Sequence, residues 1–275
     1  MLIRGTIEIT TTAPCSLACI YCPQSLMMKN YRKQSDKHMS LETFKKCLST
    51  IPKDISITFS GYAECFLNPL CPEMIKYAND EGYELYLYTT LTGFKKEWIP
   101  TLKNIPLKTK HLHLPDMEGQ MRGAKVDDNY IENAIAFKNE IGYTGAICYG
   151  TLHPKLWSIF PDTQQHPNKG LHSRAENISK EKMADIQHFE PKKGKIGCGV
   201  ANRHNMDVIR INVLLPNGDV QLCCMDYGLK HKLGNLLVDN YDNLFNSAEY
   251  KKLECGLDND SLDILCRTCK EAVHI

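Results

Sequence analysis

The chain has 275 residues, enough for one large domain or a medium domain with a small one, and its 43% apolar content suits a globular core. A formal charge of +1, with both signs interspersed, excludes an electrostatic footprint for nucleic acid or an anionic membrane. No segment reaches the ~20 apolar residues that span a bilayer, and MLIRGTIEITTTAP lacks the apolar core of a secretory signal; thirteen cysteines then point to metal or redox chemistry in the cytoplasm, not to a disulfide scaffold.

Strand and helix signals alternate over the first two thirds. TIEITT (6–11) reads as a strand, and SLETFKKCLSTI (40–51) as a helix with Ser40 as N-cap and Leu41, Phe44 and Leu48 on one face. ISITFSG (55–61) is a buried strand ending at glycine, and PEMIKYANDEG (72–82) a helix with Pro72 at its start and Gly82 past its end. YELYLYTT (83–90) is a strand followed by a helix near 95–104; KHLHLPD, NYIENAIAFKNEIG and YTGAICYG continue as strand, helix and strand to residue 150. Five strands alternating with helices of about ten residues argue parallel βα units. Residues 151–197 show no period and read as a long crossover, a kind of loop that is uncommon unless it covers a functional site. DVIRINVLLPNGDVQLCC (207–224) reads as a hairpin turning at PNGD, and a short helix follows near 247–254. The expected domains are 1–150, the crossover 151–197 and a small module over 198–275.

The cysteines bracket this map. CSLACIYC places Cys15, Cys19 and Cys22 in the loop after the first strand, at the sheet end where parallel α/β folds put their ligands. A structural zinc site wants four ligands; three thiolates suit an iron–sulfur cluster that keeps one iron open. Six more cysteines lie beyond residue 197. Four of them, Cys198, Cys223, Cys266 and Cys269, make a set that equally suits zinc or a cluster.

Cys15-x3-Cys19-x2-Cys22, with Tyr21 before the third cysteine, resembles the signature of the radical S-adenosylmethionine (SAM) superfamily. The resemblance implies a partial (β/α)6-type TIM barrel, here shortened to about five strands, and a [4Fe–4S] cluster whose open iron binds SAM. SAM is then cleaved to a 5′-deoxyadenosyl radical. Gly61, Tyr62, Ala63 and Glu64 resemble the family's GGEP segment, so this resemblance implies SAM contacts for them, for Tyr21, and for Thr89 and Thr90 at the third strand's end. NGDVQLCCMDYGLKHKLGNL (217–236) resembles the SPASM/twitch extension. That implies one auxiliary [4Fe–4S] cluster on Cys198, Cys223, Cys266 and Cys269, with Cys223 preferred to Cys224 for its distance to LGN; Cys224 and Cys255 are read as packed or free. The chain ends six residues after Cys269, which favours the shorter twitch form.

HSRAENISK (172–180) resembles an RAGN segment of related sugar-metabolism enzymes, which makes Arg174 the candidate catalytic residue beside the substrate. The start of the chain on the first strand leaves no room for a leader-peptide domain, so a small polar, sugar- or aminocyclitol-like substrate is expected, with a flavodoxin or ferredoxin as reductant. Oxidation is the expected reaction, with epimerisation, dehydration or peptide modification as rivals. A redox-neutral outcome would need a hydrogen donor, for which Cys65, Cys148 and Cys255 are the candidates.

Overall fold

The computed structural model describes residues 3–31, 37–166, 171–203 and 209–275. The start of the predicted hairpin (207–208) and part of the crossover (167–170) lie outside them. The strands are β1 (Gly5–Ile9), β2 (Ile55–Phe59), β3 (Leu85–Thr89), β4 (Thr109–His113), β5 (Gly145–Cys148), β6 (Gln164–Gln165), β7 (Ile196–Cys198), β8 (Ile211–Leu214), β9 (Asp219–Gln221), β10 (Lys232–Asn235) and β11 (Ala272–His274). The helices are α1 (Gln24–Tyr31), α2 (Leu41–Leu48), α3 (Cys71–Asp80), α4 (Ile99–Leu102), α5 (Asp128–Glu140), α6 (Gly199–Arg203) and α7 (Ala248–Asp258). The local signals explain several boundaries: Ser40 accepts the Thr43 N–H at the start of α2, Asp127 caps α5 through Tyr130, and proline opens α3.

One sheet runs β10-β9-β8-β1-β2-β3-β4-β5-β6, parallel from β8 through β6, with β9 and β10 antiparallel. This is the mixed α/β architecture of a partial barrel. Its apolar core lies between the sheet and the helices, with Ile7, Ile9, Ile57, Phe59 and Leu87 packed against Phe44, Leu48, Met74 and Phe137. Replacing a fully buried side chain such as Phe59 by alanine would cost about 3–5 kcal/mol.

Two features depart from the sequence reading. A sixth strand, β6, lies inside the expected crossover and pairs with β5, so the sheet runs past residue 150. Two residues give no periodicity to detect. The predicted hairpin, moreover, does not stand apart: β8 pairs in parallel with β1, with Thr6 opposite Ile211 and Ile9 opposite Leu214. The small module therefore grows out of the sheet edge, while β7 and β11 form a separate two-stranded ribbon that ties Cys198 to the C-terminal segment.

Candidate active site and metal centres

Side chains alternate along a strand, so each strand shows one face to the helices and the other to the concave side of the sheet. On that concave side the chain is polar. Thr6 and Glu8 of β1, Thr58 of β2 and Ser60 just after it, Tyr88 of β3, His111 and His113 of β4, and Tyr149 just after β5 line a cavity of about 520 Å³. Its size suits a small-molecule site. Sequence reasoning missed all eight of these residues. Their signal was present in the alternation of TIE and HLH, but it reads as solvent exposure until the sheet curves.

The three-thiol loop closes one end of this cavity, where Cys15, Cys19 and Cys22 all line it. The segment 116–123 clamps the loop: Ile20 N–H donates to Gln120 and Gly123 N–H to Leu17. Gly123 has to be glycine, because a Cβ there would lie 2.0 Å from the Ser16 carbonyl oxygen. The Cys15 sulfur is held by backbone groups of Leu17 and Glu64, and Cys22 Sγ lies 3.7 Å from the Tyr227 hydroxyl. Burial and mutual repulsion push the Cys15 thiol up to about 11 and Cys19 to about 12. Such a trio becomes thiolate only when a cation balances the charge, which is the condition that bound iron satisfies. Among the described residues no three His, Cys, Asp or Glu side chains are placed to hold a single ion. A cluster asks instead for one thiolate per iron, and all three thiols of the loop border one cavity.

Gly61 turns the chain after β2 at φ +83, and its missing Cβ leaves room for Thr10 Oγ1 at 2.3 Å. Beyond it, Ala63 and Glu64 face the cavity. Glu64 is buried, and its oxygens accept from Thr89 Oγ1 (2.6 Å), Thr90 N–H (2.6 Å), Thr90 Oγ1 (2.7 Å) and Phe66 N–H (3.2 Å). Burial nonetheless raises its pKa above the usual carboxylate value. Glu64, Thr89 and Thr90 thus come together as one bonded unit. Tyr62 also borders the cavity, but its hydroxyl donates to the carbonyls of Cys223 and Asp226, so its side chain anchors the C-terminal module. Tyr21 is buried, stacks on His113, and lies 3.1 Å from its Nε2. Burial lowers His113 to about 4, leaving a neutral imidazole.

The crossover delivers Arg174. Arg174, Ala175 and Glu176 have φ of 53°, 53° and 57°, three successive left-handed residues that cost roughly 1–2 kcal/mol each. The turn is held by Glu176, which bonds Ser173, His188 and Phe189 N–H. Asn177 Nδ2 adds bonds to the Arg174 carbonyl (2.6 Å) and to the Met225 carbonyl (2.8 Å). The RAEN stretch therefore aims an arginine into the cavity while its asparagine fastens the crossover to the hairpin loop. The groups acting most strongly on the guanidinium are Tyr227, Cys224, Cys22 and Tyr149, none of them a carboxylate.

Cys198, Cys223, Cys266 and Cys269 lie close enough to act on one another electrostatically. Cys223 and Cys269 belong to the main core, with Cys198 and Cys266 packed against it. Burial first, then the neighbouring thiols, push Cys223, Cys266 and Cys269 up. The consecutive residue Cys224 takes the opposite direction. It packs with Cys22, Tyr62 and Tyr227, and it lines the cavity. Of the three thiols expected as hydrogen donors, Cys65 and Cys148 are fully buried, Cys255 is exposed on α7, and none lines the cavity.

Residues 209–270 match the SPASM family model, an iron–sulfur cluster-binding domain. No curated protein matches the chain in sequence. Among solved structures it is similar to BtrN in complex with AdoMet and 2-DOIA, at TM-score 0.57 and 14% identity over 92% of this chain and 87% of that one. It is similar to native anSMEcpe with bound AdoMet, at 0.56 and 15% over 96% and 86%. The third is Streptococcus suis SuiB bound to precursor peptide SuiA, at 0.57 and 13% over 92% and 67%. The three-thiol loop therefore sits on a sheet whose fold the chain shares with BtrN and anSMEcpe, and residues 209–270 continue it as a match to the SPASM iron–sulfur cluster-binding domain.

Proposed function

We propose that this radical SAM enzyme abstracts hydrogen from a small polar, sugar- or aminocyclitol-like substrate. The observation that carries the reading is a single cavity bordered at once by Cys15, Cys19 and Cys22, by the Glu64–Thr89–Thr90 unit and by Arg174. When bound, the cluster and SAM supply a 5′-deoxyadenosyl radical at the thiol end. The chain's part is to hold and shield. Cys15, Cys19 and Cys22 would hold the cluster, Gly61 to Glu64 would contact SAM, and Tyr21 would wall that space. Arg174 and the alternating polar side chains of β1, β2 and β4 offer hydrogen bonds to hydroxyl or amino groups, and the arginine attracts any negative charge. Cys198, Cys223, Cys266 and Cys269 would hold one auxiliary cluster. The expected reductant is a flavodoxin or ferredoxin.

The sequence led to oxidation as the fate of the substrate radical, and two similar structures carry, one a small molecule, the other a peptide. A thiol on the cavity wall favours the rival, redox-neutral fate, in which the substrate regains hydrogen. The test is a panel of aminocyclitols, sugars and short peptides given to anaerobically reconstituted protein in deuterated water. Stimulated 5′-deoxyadenosine with a sugar-like compound supports the reading; stimulation by peptides alone overturns the substrate class. A product lacking two hydrogens marks oxidation, and a deuterated isomer marks inversion.

A further inference from the structure

We propose that Cys224 is the hydrogen-atom donor that quenches the substrate radical, with Glu8 as the group that returns its proton, so that the enzyme inverts a carbon centre. This rests on the reading above and names the reaction at the same site. Cys224 is set apart from the other thiols by position. Cys15, Cys19 and Cys22 border the cavity as one loop, and Cys198, Cys223, Cys266 and Cys269 gather in the core behind it. Cys47, Cys65, Cys71 and Cys148 are wholly buried away from it, and Cys255 is exposed on α7. Cys224 alone, among the cysteines outside the two sets, lines the cavity.

Its neighbours fit the role. Glu8 of β1 lies within hydrogen-bond reach of the Cys224 sulfur, and Arg174 stands close to it. Glu8 is fixed by the Ser60 hydroxyl (2.8 Å) and the Gly61 N–H (3.0 Å), so the carboxylate faces the thiol from the strand beside the SAM-binding turn. Tyr227, three residues on, lies by Cys22 at one end of the cavity and packs against Tyr62. The thiol therefore borders the same space as the three-thiol loop while belonging to a different element, as a donor approaching a substrate from another side than the abstracting radical must do. Cys223 is bridged to Ile211, and Cys224 opens the turn closed by the Asp226 N–H on the Cys223 carbonyl, so the chain changes direction between the two thiols and Cys223 packs in the core while Cys224 borders the cavity.

The step balances. The Cys224 S–H bond breaks homolytically as a C–H bond forms on the substrate radical, leaving a thiyl radical. One electron from the flavodoxin- or ferredoxin-class donor and one proton through Glu8 restore the thiol. The substrate has lost one hydrogen atom to the deoxyadenosyl radical and gained one from sulfur, so it changes configuration without changing oxidation state.

The test needs no substrate. Reconstituted full-length protein is given SAM and dithionite in deuterated water, where the exchangeable thiol becomes S–D, and the 5′-deoxyadenosine formed is analysed by mass spectrometry alongside iron content. In the empty cavity Cys224 is then the weakest-bonded hydrogen facing the radical. The wild type is expected to place one deuterium in the 5′ methyl group, and Cys224→Ala and Cys224→Ser to lower that label at least tenfold with iron content unchanged; serine keeps the volume but its O–H bond is too strong to donate. Equal labelling in wild type and variants overturns the proposal, as does unlabelled 5′-deoxyadenosine from the wild type. Loss of about half the iron in Cys224→Ser overturns it too, by making Cys224 a ligand. Wild-type protein that forms no 5′-deoxyadenosine at all instead refutes the radical reading on which this one stands.

Discussion

The two thiol groups differ in number, setting and company. Cys15, Cys19 and Cys22 share one short loop, are half-buried, and border an open cavity with Glu64 and Arg174 beside them. Cys198, Cys223, Cys266 and Cys269 come from three separate segments, brought together by the β7–β11 ribbon and by the return from β9. They sit against the apolar core, and none of the four lines that cavity. Three ligands beside open space leave a coordination position for a reactant, and four ligands against a core leave none. Under the proposed function the same element of chemistry, a thiolate, would serve reaction in one region and enclosure in the other.

The largest expected effect comes from breaking the open set. Replacing Cys15, Cys19 and Cys22 together by alanine should remove about half the iron of a protein with two four-iron clusters and abolish reductive cleavage of SAM. Replacing Cys266 and Cys269 should remove a similar share of iron yet leave SAM cleavage measurable. Iron analysis and 5′-deoxyadenosine yield check both, and equal loss of cleavage in the two variants would erase the proposed division of labour.

A smaller effect is expected at Glu64. Five donors converge on its two oxygens, the Cys65 thiol the longest at 3.7 Å, and an amide offers one acceptor oxygen with an NH2 group that cannot accept, so Glu64→Gln leaves the Phe66 or Thr90 N–H unsatisfied. That should cost about 1–3 kcal/mol of stability, or roughly 2–4 °C in melting temperature per kcal/mol for a chain of this size class. SAM affinity should fall as well, about tenfold to a hundredfold if a charge-assisted bond is lost. Calorimetry and equilibrium dialysis read the two apart. A variant that melts like the wild type and binds SAM equally would remove Glu64 from the site.

The smallest effect concerns the crossover that delivers Arg174. The hydrogen bond it donates to Glu176 raises His188, and although burial pushes Glu176 up, the bonds from His188, Ser173 and Phe189 outweigh it and hold it low. A raised histidine stabilises fully below its unfolded value of about 6.5 and loses that contribution as pH rises through its folded value. A lowered glutamate stabilises above its unfolded value of about 4.3 and loses that contribution as pH falls through its folded value. The pair therefore stabilises most between about pH 4.3 and 6.5. Hydrogen exchange of residues 173–189 should speed up as pH rises past this window, after correction for the intrinsic rate, and His188→Gln should flatten the change. A profile identical in the variant would assign the turn's stability to Asn177 alone.

What was legible in the sequence was local. The three-thiol loop, the Ser40 cap and the strand–helix rhythm each depend on neighbours a few residues apart, and the structure keeps them. The SPASM assignment was also within reach, since CC, LGN and CRTC lie within one stretch. What escaped depends on distance along the chain. β8 joins β1 across some two hundred residues, and no periodicity announces that pairing. The polar face of β1 and β4 looked like exposure, because curvature turns it into a cavity wall. Cys224 looked idle beside Cys223, since only the packing of Tyr62 and Tyr227 shows which way each of the two adjacent thiols points.

The central claim is that one cluster site is open to SAM and the other is closed. Electron paramagnetic resonance of the reduced, reconstituted protein, recorded with and without SAM, tests it most directly. The account predicts two cluster signals, of which SAM perturbs one; in the Cys15, Cys19 and Cys22 triple-alanine variant the signal that remains should be indifferent to SAM. A remaining signal that still shifts with SAM would contradict it, because the site assigned as closed would then be the one that binds.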